Sequence, residues 1–85
     1  MGYWVYILQC ADDTFYTGMT NDVARRVAVH NQGRGAKYTR GRRPVTAVYW
    51  EACDSRSEAL RREAAIKRLT RIQKIALITH MRKTN

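Results

Sequence analysis

The chain predicts an α+β fold with its elements in the order β-β-α-β-α-α. Three observations carry that prediction. Residues 3–19 read as two strands joined by the turn sequence Ala11-Asp12-Asp13-Thr14. Residues 45–53, VTAVYWEAC, form a third β-rich run. Two capping boxes follow, Ser55 with Glu58 and Thr70 with Gln73, and each opens a helix.

Residues 3–10 are apolar on both faces, with Tyr3, Val5 and Ile7 on one and Trp4, Tyr6 and Leu8 on the other. That is the pattern of a central strand. Residues 15–19 form the second strand, where Gly18 marks a bulge or a close approach of another group. Register decides what the two strands present. If Cys10 pairs with Phe15 across a four-residue loop, Tyr6 and Tyr16 point to opposite faces. If Ala11 pairs with Phe15 across three residues, or a bulge intervenes, the two phenols share a face.

Thr20 or Asn21 can cap a helix running to about residue 32, with Gly33 as its stop signal. Val23 and Val27 are spaced to face the sheet. Arg26 and His30 form a second pair one turn apart, while Arg25 reads as a solvated charge. The helix after Ser55 reaches about residue 69. The last helix runs to about residue 82, with Ile72, Ile75, Ala76 and Thr79 as its expected inner stripe and His80 as a surface group near its end.

Eighty-five residues predict one domain, residues 1–85, with a modest core and function confined to the surface or a shallow cleft. The net charge is +9, and twelve of the sixteen basic residues are Arg. Arg matches phosphate with a planar fork of donors. Nucleic acid and anionic membrane compete as partners. The basic residues concentrate in a Gly-containing loop, not on an amphipathic helix with bulky anchors, which favours nucleic acid and argues against membrane. No apolar run approaches a membrane span, and the start MGYWVYILQC lacks a basic leader. Cys10 and Cys53 fall in different strands without a Cys-x-x-Cys pattern, so both read as small buried thiols of a cytoplasmic protein.

The loop is GRGAKYTRGRRP, residues 33–44. It carries Arg34, Lys37, Arg40, Arg42 and Arg43, three glycines, Tyr38 and no acid. The bland reading is a solvated charged loop. The sharper one, favoured by the density of Arg and the interleaved aromatic, is a phosphate-contacting loop whose Tyr38 stacks on a base.

One carboxylate lies where a side chain is expected to turn inward. On a helix turning about 100° per residue, Ala59, Leu60, Ile66 and Leu69 mark an apolar arc that contains Glu63, while Glu58 falls outside it. Glu63 is either half of an ion pair, with Lys67 as the nearest candidate, or a metal ligand aimed at a cleft. Lys67 could equally contact phosphate. Two tyrosines, an Arg–His pair, one inward Glu and a basic loop together suit phosphodiester hydrolysis. A tyrosine serves as base at neutral pH only if cations lower its pKa, and Arg26 with a bound metal is the expected source.

With these residues in place the chain resembles the GIY-YIG nuclease superfamily. Trp4-Val5-Tyr6 stands for the first motif and Tyr16-Thr17-Gly18 for the second. Arg26, His30 and the Glu63 of Ala59-Leu60-Arg61-Arg62-Glu63 follow at the family's spacing. YTGMTND, AKYTRGRRPV and SEALRREAAIK look most like its small stand-alone bacterial members of the YhbQ and YazA type. Two positions depart from the pattern: Trp4-Val5 replaces Gly-Ile, and Met19 stands where one branch has Lys.

The resemblance implies a small antiparallel three-stranded sheet flanked by helices. It implies catalytic roles for Tyr6 as general base, Tyr16 and Arg26 on the scissile phosphate, His30 in hydrogen bonding or proton transfer, and Glu63 as ligand to Mg²⁺ or Mn²⁺. The expected activity is a metal-dependent endonuclease on DNA, favoured over RNA, acting on branched, nicked or flapped structures in a repair or recombination setting. A protein partner supplying specificity fits so small a module. A non-catalytic nucleic-acid-binding module and an RNA-directed, ribosome-associated role are the competing classes.

Overall fold

A computed structural model describes residues 2–84 of the chain. The sheet has three strands, β1 (Tyr3–Gln9), β2 (Phe15–Thr20) and β3 (Thr46–Cys53), in the order β2-β1-β3. Both pairings are antiparallel, and β1 is central as its two-sided apolar pattern requires. Val5, Tyr6, Ile7 and Leu8 are all buried.

The hairpin register is neither of the two expected. Gln9 pairs with Phe15, leaving a five-residue connection. Asp13 enters the left-handed region at φ 66°, which a short polar side chain tolerates. Asp12 ties the turn through Oδ1, which accepts from the Thr14 amide at 3.2 Å and the Thr14 hydroxyl at 2.6 Å. Tyr6 therefore pairs with Gly18 and Leu8 with Tyr16. Paired residues share a face, so both phenols project to the same side.

On the other edge, Ile7 pairs with Tyr49 and Leu8 with Ala47, which makes Val48 the extra residue of a bulge. The bulge lets Val48 and Tyr49 both enter one core layer. It also leaves Ala47 and Trp50 together on the Tyr6 face.

Helix α1 (Val23–Asn31) is capped by Asp22, one residue later than expected. Its Oδ1 accepts from the Arg25 amide at 3.1 Å, while the Thr20 hydroxyl is used to accept from the Asp22 amide. Gly33, at φ 79°, ends the helix. Its amide donates to His30 O and that of Arg34 to Val29 O, closing a Schellman motif. The expected loop then contains a single helical turn, α2 (Lys37–Arg40), added to the predicted order.

Both capping boxes form. In α3 (Arg56–Lys67) the Ser55 hydroxyl accepts from the Glu58 amide, and the Glu58 carboxylate reaches back to the Asp54 amide. In α4 (Arg71–Thr84) Thr70 and Gln73 satisfy each other's amides at 3.2 and 2.9 Å.

The sheet has a core layer on each face. Val5, Ile7, Val48, Tyr49, Cys53, Ala59, Ile66 and Ile78 fill the layer under α3 and α4. Tyr6, Leu8, Cys10 and Val45 fill the other, with Val23 and Val27 of α1 packed against them.

Helix α4 presents a different stripe from the one predicted. Ile78 is buried, with Leu77 and Met81 against the core, whereas Ile72 is 80% exposed and Ile75 42%. Ala76 and Thr79 are exposed as well. Both stripes have helical spacing, so periodicity cannot rank them, and the turn between α3 and α4 selects one. Leu60 is likewise outside the core, while Ala59 beside it is fully buried. Where α3 meets β3, Arg62 holds Glu51 with both carboxylate oxygens, at 2.7 and 2.9 Å, and Tyr49 donates to Glu51 at 2.6 Å.

This packing sets the expected result of two substitutions compared by chemical denaturation. Ile78→Ala removes a buried side chain and costs about 2–5 kcal/mol. Ile72→Ala stays within roughly 0.5 kcal/mol. Equal losses would contradict the observed orientation of α4.

Candidate active site

The shared face of the hairpin gathers side chains from four elements. Gly18 lies directly across from Tyr6. A Cβ built there would sit 2.6 Å from the Tyr6 hydroxyl and 3.2 Å from the Tyr16 ring. The second strand must therefore lack a side chain at this point for the two phenols to settle side by side.

His30 comes from the last turn of α1 and is fully buried. Its Nε2 lies 3.1 Å from the Tyr6 hydroxyl and its Nδ1 2.8 Å from the Thr39 hydroxyl. The Thr39 hydroxyl donates its single hydrogen to Ala36 O at 2.9 Å. Thr39 must then accept from His30, so Nδ1 carries the ring proton. Nε2 is left bare and accepts the hydrogen bond of Tyr6. Gly35 completes the enclosure, because a Cβ there would lie 2.2 Å from Nδ1.

Electrostatics agree with this proton arrangement. Burial pulls the His30 pKa down, and the nearby Arg26 charge adds to the effect. The ring is thus held neutral. Burial pushes the Tyr6 phenol up to about 12, opposed by a hydrogen bond and charge from Arg26 and reinforced by Tyr16 and Glu63. Arg26 acts in the expected direction, but it does not outweigh burial. Among the protein's own groups, the expected lowering of Tyr6 does not occur.

Tyr6 is thereby in electrostatic reach of Tyr16, Arg26 and Glu63 while bonded to His30. Tyr6, Tyr16, Arg26 and His30 meet from β1, β2 and α1, while Glu63 of α3 lies within electrostatic range of the Tyr6 phenol. Glu63 is turned inward, with its side chain only 18% exposed, and it meets Lys67 at 3.5 Å. The ion-pair reading of Glu63 therefore has a structural counterpart in Lys67. Among the described residues, no group of three or more His, Cys, Asp or Glu is placed to hold a metal.

The basic loop folds over this site. Tyr38 stacks on Tyr16, with ring centres 6.0 Å apart, and Arg42 lies 4.1 Å over the Tyr38 ring. Tyr16 in turn is 5.3 Å from the His30 ring. Tyr38 thus has an internal stacking partner in place of an open platform for a base.

The acid missing from the loop is supplied by Asp12 of the hairpin turn, at 3.0 Å from Arg42. Arg42 also donates to Tyr38 O. Arg43 pins the loop through Arg40 O and Asn31 O, and Arg34 bonds to Gln32. Lys37 and Arg40 are exposed and have no ion pair among the described residues.

Thr39 and Gly35 escaped the sequence reading. A threonine inside an Arg-rich loop has no periodic signal, and its importance comes from a partner nine residues away.

The GIY-YIG catalytic domain matches residues 2–76. The chain belongs to the GIY-YIG family. It is 63% identical over 73 residues to a UPF0213 protein of Halobacterium salinarum, covering 86% of this chain and 95% of that relative. Two solution NMR structures share the fold. A UPF0213 protein of Bacillus halodurans is 48% identical with a TM-score of 0.59, over 93% of this chain and 84% of the other. An E. faecalis protein is 42% identical with a TM-score of 0.64, over 96% and 88%. This GIY-YIG chain thus belongs to a nuclease family, and none of its described helices is long and apolar enough to cross a membrane.

The hydrogen-bond chain predicts the nitrogen spectrum of His30. ¹⁵N NMR should show Nδ1 protonated and Nε2 bare at neutral pH. Thr39→Val should lose that single-tautomer signature and Thr39→Ser should keep it. An unchanged spectrum in the valine variant would remove Thr39 from this role.

Proposed function

We propose that this GIY-YIG chain is a divalent-metal-dependent endonuclease acting on DNA, with branched, nicked or flapped structures as its substrates. The observation that carries this reading is the Tyr6–His30 hydrogen bond, set among Tyr16, Arg26 and Glu63 beneath exposed basic residues. In this reading Lys37 and Arg40, with Arg34 and Arg43 beside them, track the backbone of the substrate. Two buried free thiols suit the reducing cytoplasm.

A phenol with a pKa near 12 is ionised in only about one molecule in 10⁵ at pH 7, so waiting for a free phenolate is a poor route. The hydrogen bond offers a better one. As water attacks phosphorus, its proton passes to the Tyr6 oxygen while the Tyr6 proton passes to His30 Nε2. The P–O bond to the leaving oxygen breaks, that oxygen takes up a proton from solvent water, and His30 becomes an imidazolium whose Nδ1–H remains on Thr39 and whose extra proton later returns to solvent. Tyr16 and Arg26 donate to the phosphate oxygens, where negative charge builds.

One carboxylate at the site suits Mg²⁺ or Mn²⁺, which commonly bind through one or two carboxylates with phosphate oxygens completing the shell. Glu63 would hold the ion, which when bound neutralises charge on the phosphate.

A second reading, binding without cleavage, draws on one observation: Glu63 already has Lys67 as a partner at 3.5 Å. A cleavage panel separates the two. Duplex, single-stranded, flapped and four-way DNA and structured RNA would be incubated with Mg²⁺, Mn²⁺ or EDTA. We expect metal-dependent cutting of branched or flapped DNA that Glu63→Gln abolishes while binding persists. Binding without cutting, equal in both proteins, would support the second reading, and cutting confined to RNA would redirect the substrate. Tyr6→Phe should fold normally and cut about 10²–10⁴-fold more slowly.

The pH dependence tests the relay. Because burial lowers the His30 pKa, the single-turnover rate should stay level through the ordinary histidine value of 6.5 and fall only at lower pH, where a protonated Nε2 cannot accept. A continued rise of about tenfold per pH unit above neutrality would indicate a phenol that ionises beforehand.

A further inference from the structure

The Tyr6 face of the sheet carries a second concave surface beside the phenol. A groove of about 740 Å³ opens between α1 and strands β1 and β3. Trp4 and Trp50 line it from the sheet, Val23 and Val27 from the helix, and Asn21 and Asp22 stand at the start of α1. Register places it next to the candidate active site. Trp50 is the direct cross-strand partner of Tyr6, and Trp4 lies two residues before Tyr6 on the same face. Paired side chains of an antiparallel sheet stand about 4.5–5.5 Å apart at Cβ. Trp50 is nonetheless 43% exposed. Helix α1 serves both surfaces, with Arg26 and His30 toward the phenols and Val23 and Val27 toward the groove.

The occupant must be flat and apolar, and it must belong to a polyanion if it is to suit a body of net charge +9. A nucleobase meets both conditions, and it lies one sugar away from its own phosphate. In a closed duplex the bases are stacked and paired and enter only at the cost of unstacking and unpairing. Building on the nuclease reading, we propose that the groove takes an unpaired nucleobase adjacent to the phosphate held at Tyr6, Tyr16 and Arg26. The substrate is then a strand with unpaired nucleotides at the cleavage point, such as a flap or single-stranded junction arm. The exposed Trp50 indole, with the half-buried Trp4 beside it, supplies the stacking surface, and the polar groups of Asn21 and Asp22 can meet the base edge.

Trp4 and Trp50 are the chain's two tryptophans, so tryptophan fluorescence, excited where the five tyrosines do not absorb, reports on this groove alone. Full-length protein would be titrated in EDTA with a single-stranded oligonucleotide, a flapped duplex carrying 2-aminopurine in the flap, and a blunt hairpin duplex. Binding would be followed in parallel by anisotropy. We expect the first two to quench tryptophan and 2-aminopurine fluorescence at saturation, and the blunt duplex to bind without quenching. Trp50→Ala should weaken single-strand binding about 5- to 100-fold and blunt-duplex binding less than twofold, with Trp50→Phe retaining most of the affinity.

Equal quenching by the blunt duplex, or saturation by single strand with no change in fluorescence, would overturn the proposal. So would quenching that follows protein concentration without nucleic acid, which would assign the groove to a second copy. If Trp50→Ala does not fold, Trp50→Leu against Trp50→Phe keeps the aromatic requirement testable, and equal affinities would overturn it. Quenching here with no cutting in the metal panel would sink the nuclease reading and leave the groove assignment standing. Cutting without quenching would do the reverse.

Discussion

His30 is completely enclosed, and both of its ring nitrogens are bonded. A buried polar atom left without a partner costs about 1–3 kcal/mol, so the surroundings of His30 are tightly constrained. Tyr6 must present its hydroxyl from the central strand, which requires a residue without a side chain at Gly18. Thr39 must reach Nδ1 from the other side, so the chain after α1 turns back and forms the short α2. Gly35 must leave room for the ring. The Gly-rich, Arg-rich segment is therefore a structural lid on a histidine before it is a basic surface.

That dual use explains how the positive charge is distributed. Arg42 is held by Asp12 and by the Tyr38 ring, and Arg43 by backbone carbonyls, so both fasten the lid to the hairpin and to α1. Lys37 and Arg40 remain outside with no ion pair among the described residues. The sheet is divided in a similar way. One face is covered by α3 and α4 and carries the larger apolar layer. The other carries Tyr6, the enclosed histidine and the tryptophan groove. Glu63, on α3, is partnered by Lys67 and adds only the smallest of the electrostatic influences on the Tyr6 phenol.

Burial makes the same residues harder to use as bases in isolation. It raises Tyr6 to about 12 and lowers His30, so neither ionises readily at neutral pH. In the relay proposed above, the hydrogen bond that joins them is the path along which one proton would enter as another leaves.

Much of this was legible in the chain, and the division follows the range of each interaction. The two-sided apolar run of β1, the capping boxes at Ser55 and Thr70, the stop at Gly33 and the i, i+4 pair Arg26–His30 depend on neighbours within a few residues, and sequence alone determined them. It also determined the charge, and it offered Tyr6, Tyr16, Arg26, His30 and Glu63 as candidates for the site. The hairpin loop length, the α4 face, the partners of Arg42 and the roles of Thr39 and Gly35 depend on groups that meet only after folding. The protonation of Tyr6 and His30 belongs with them, because desolvation is set by everything packed around a group. Local periodicity carries no record of that environment, and only the tertiary structure decided it.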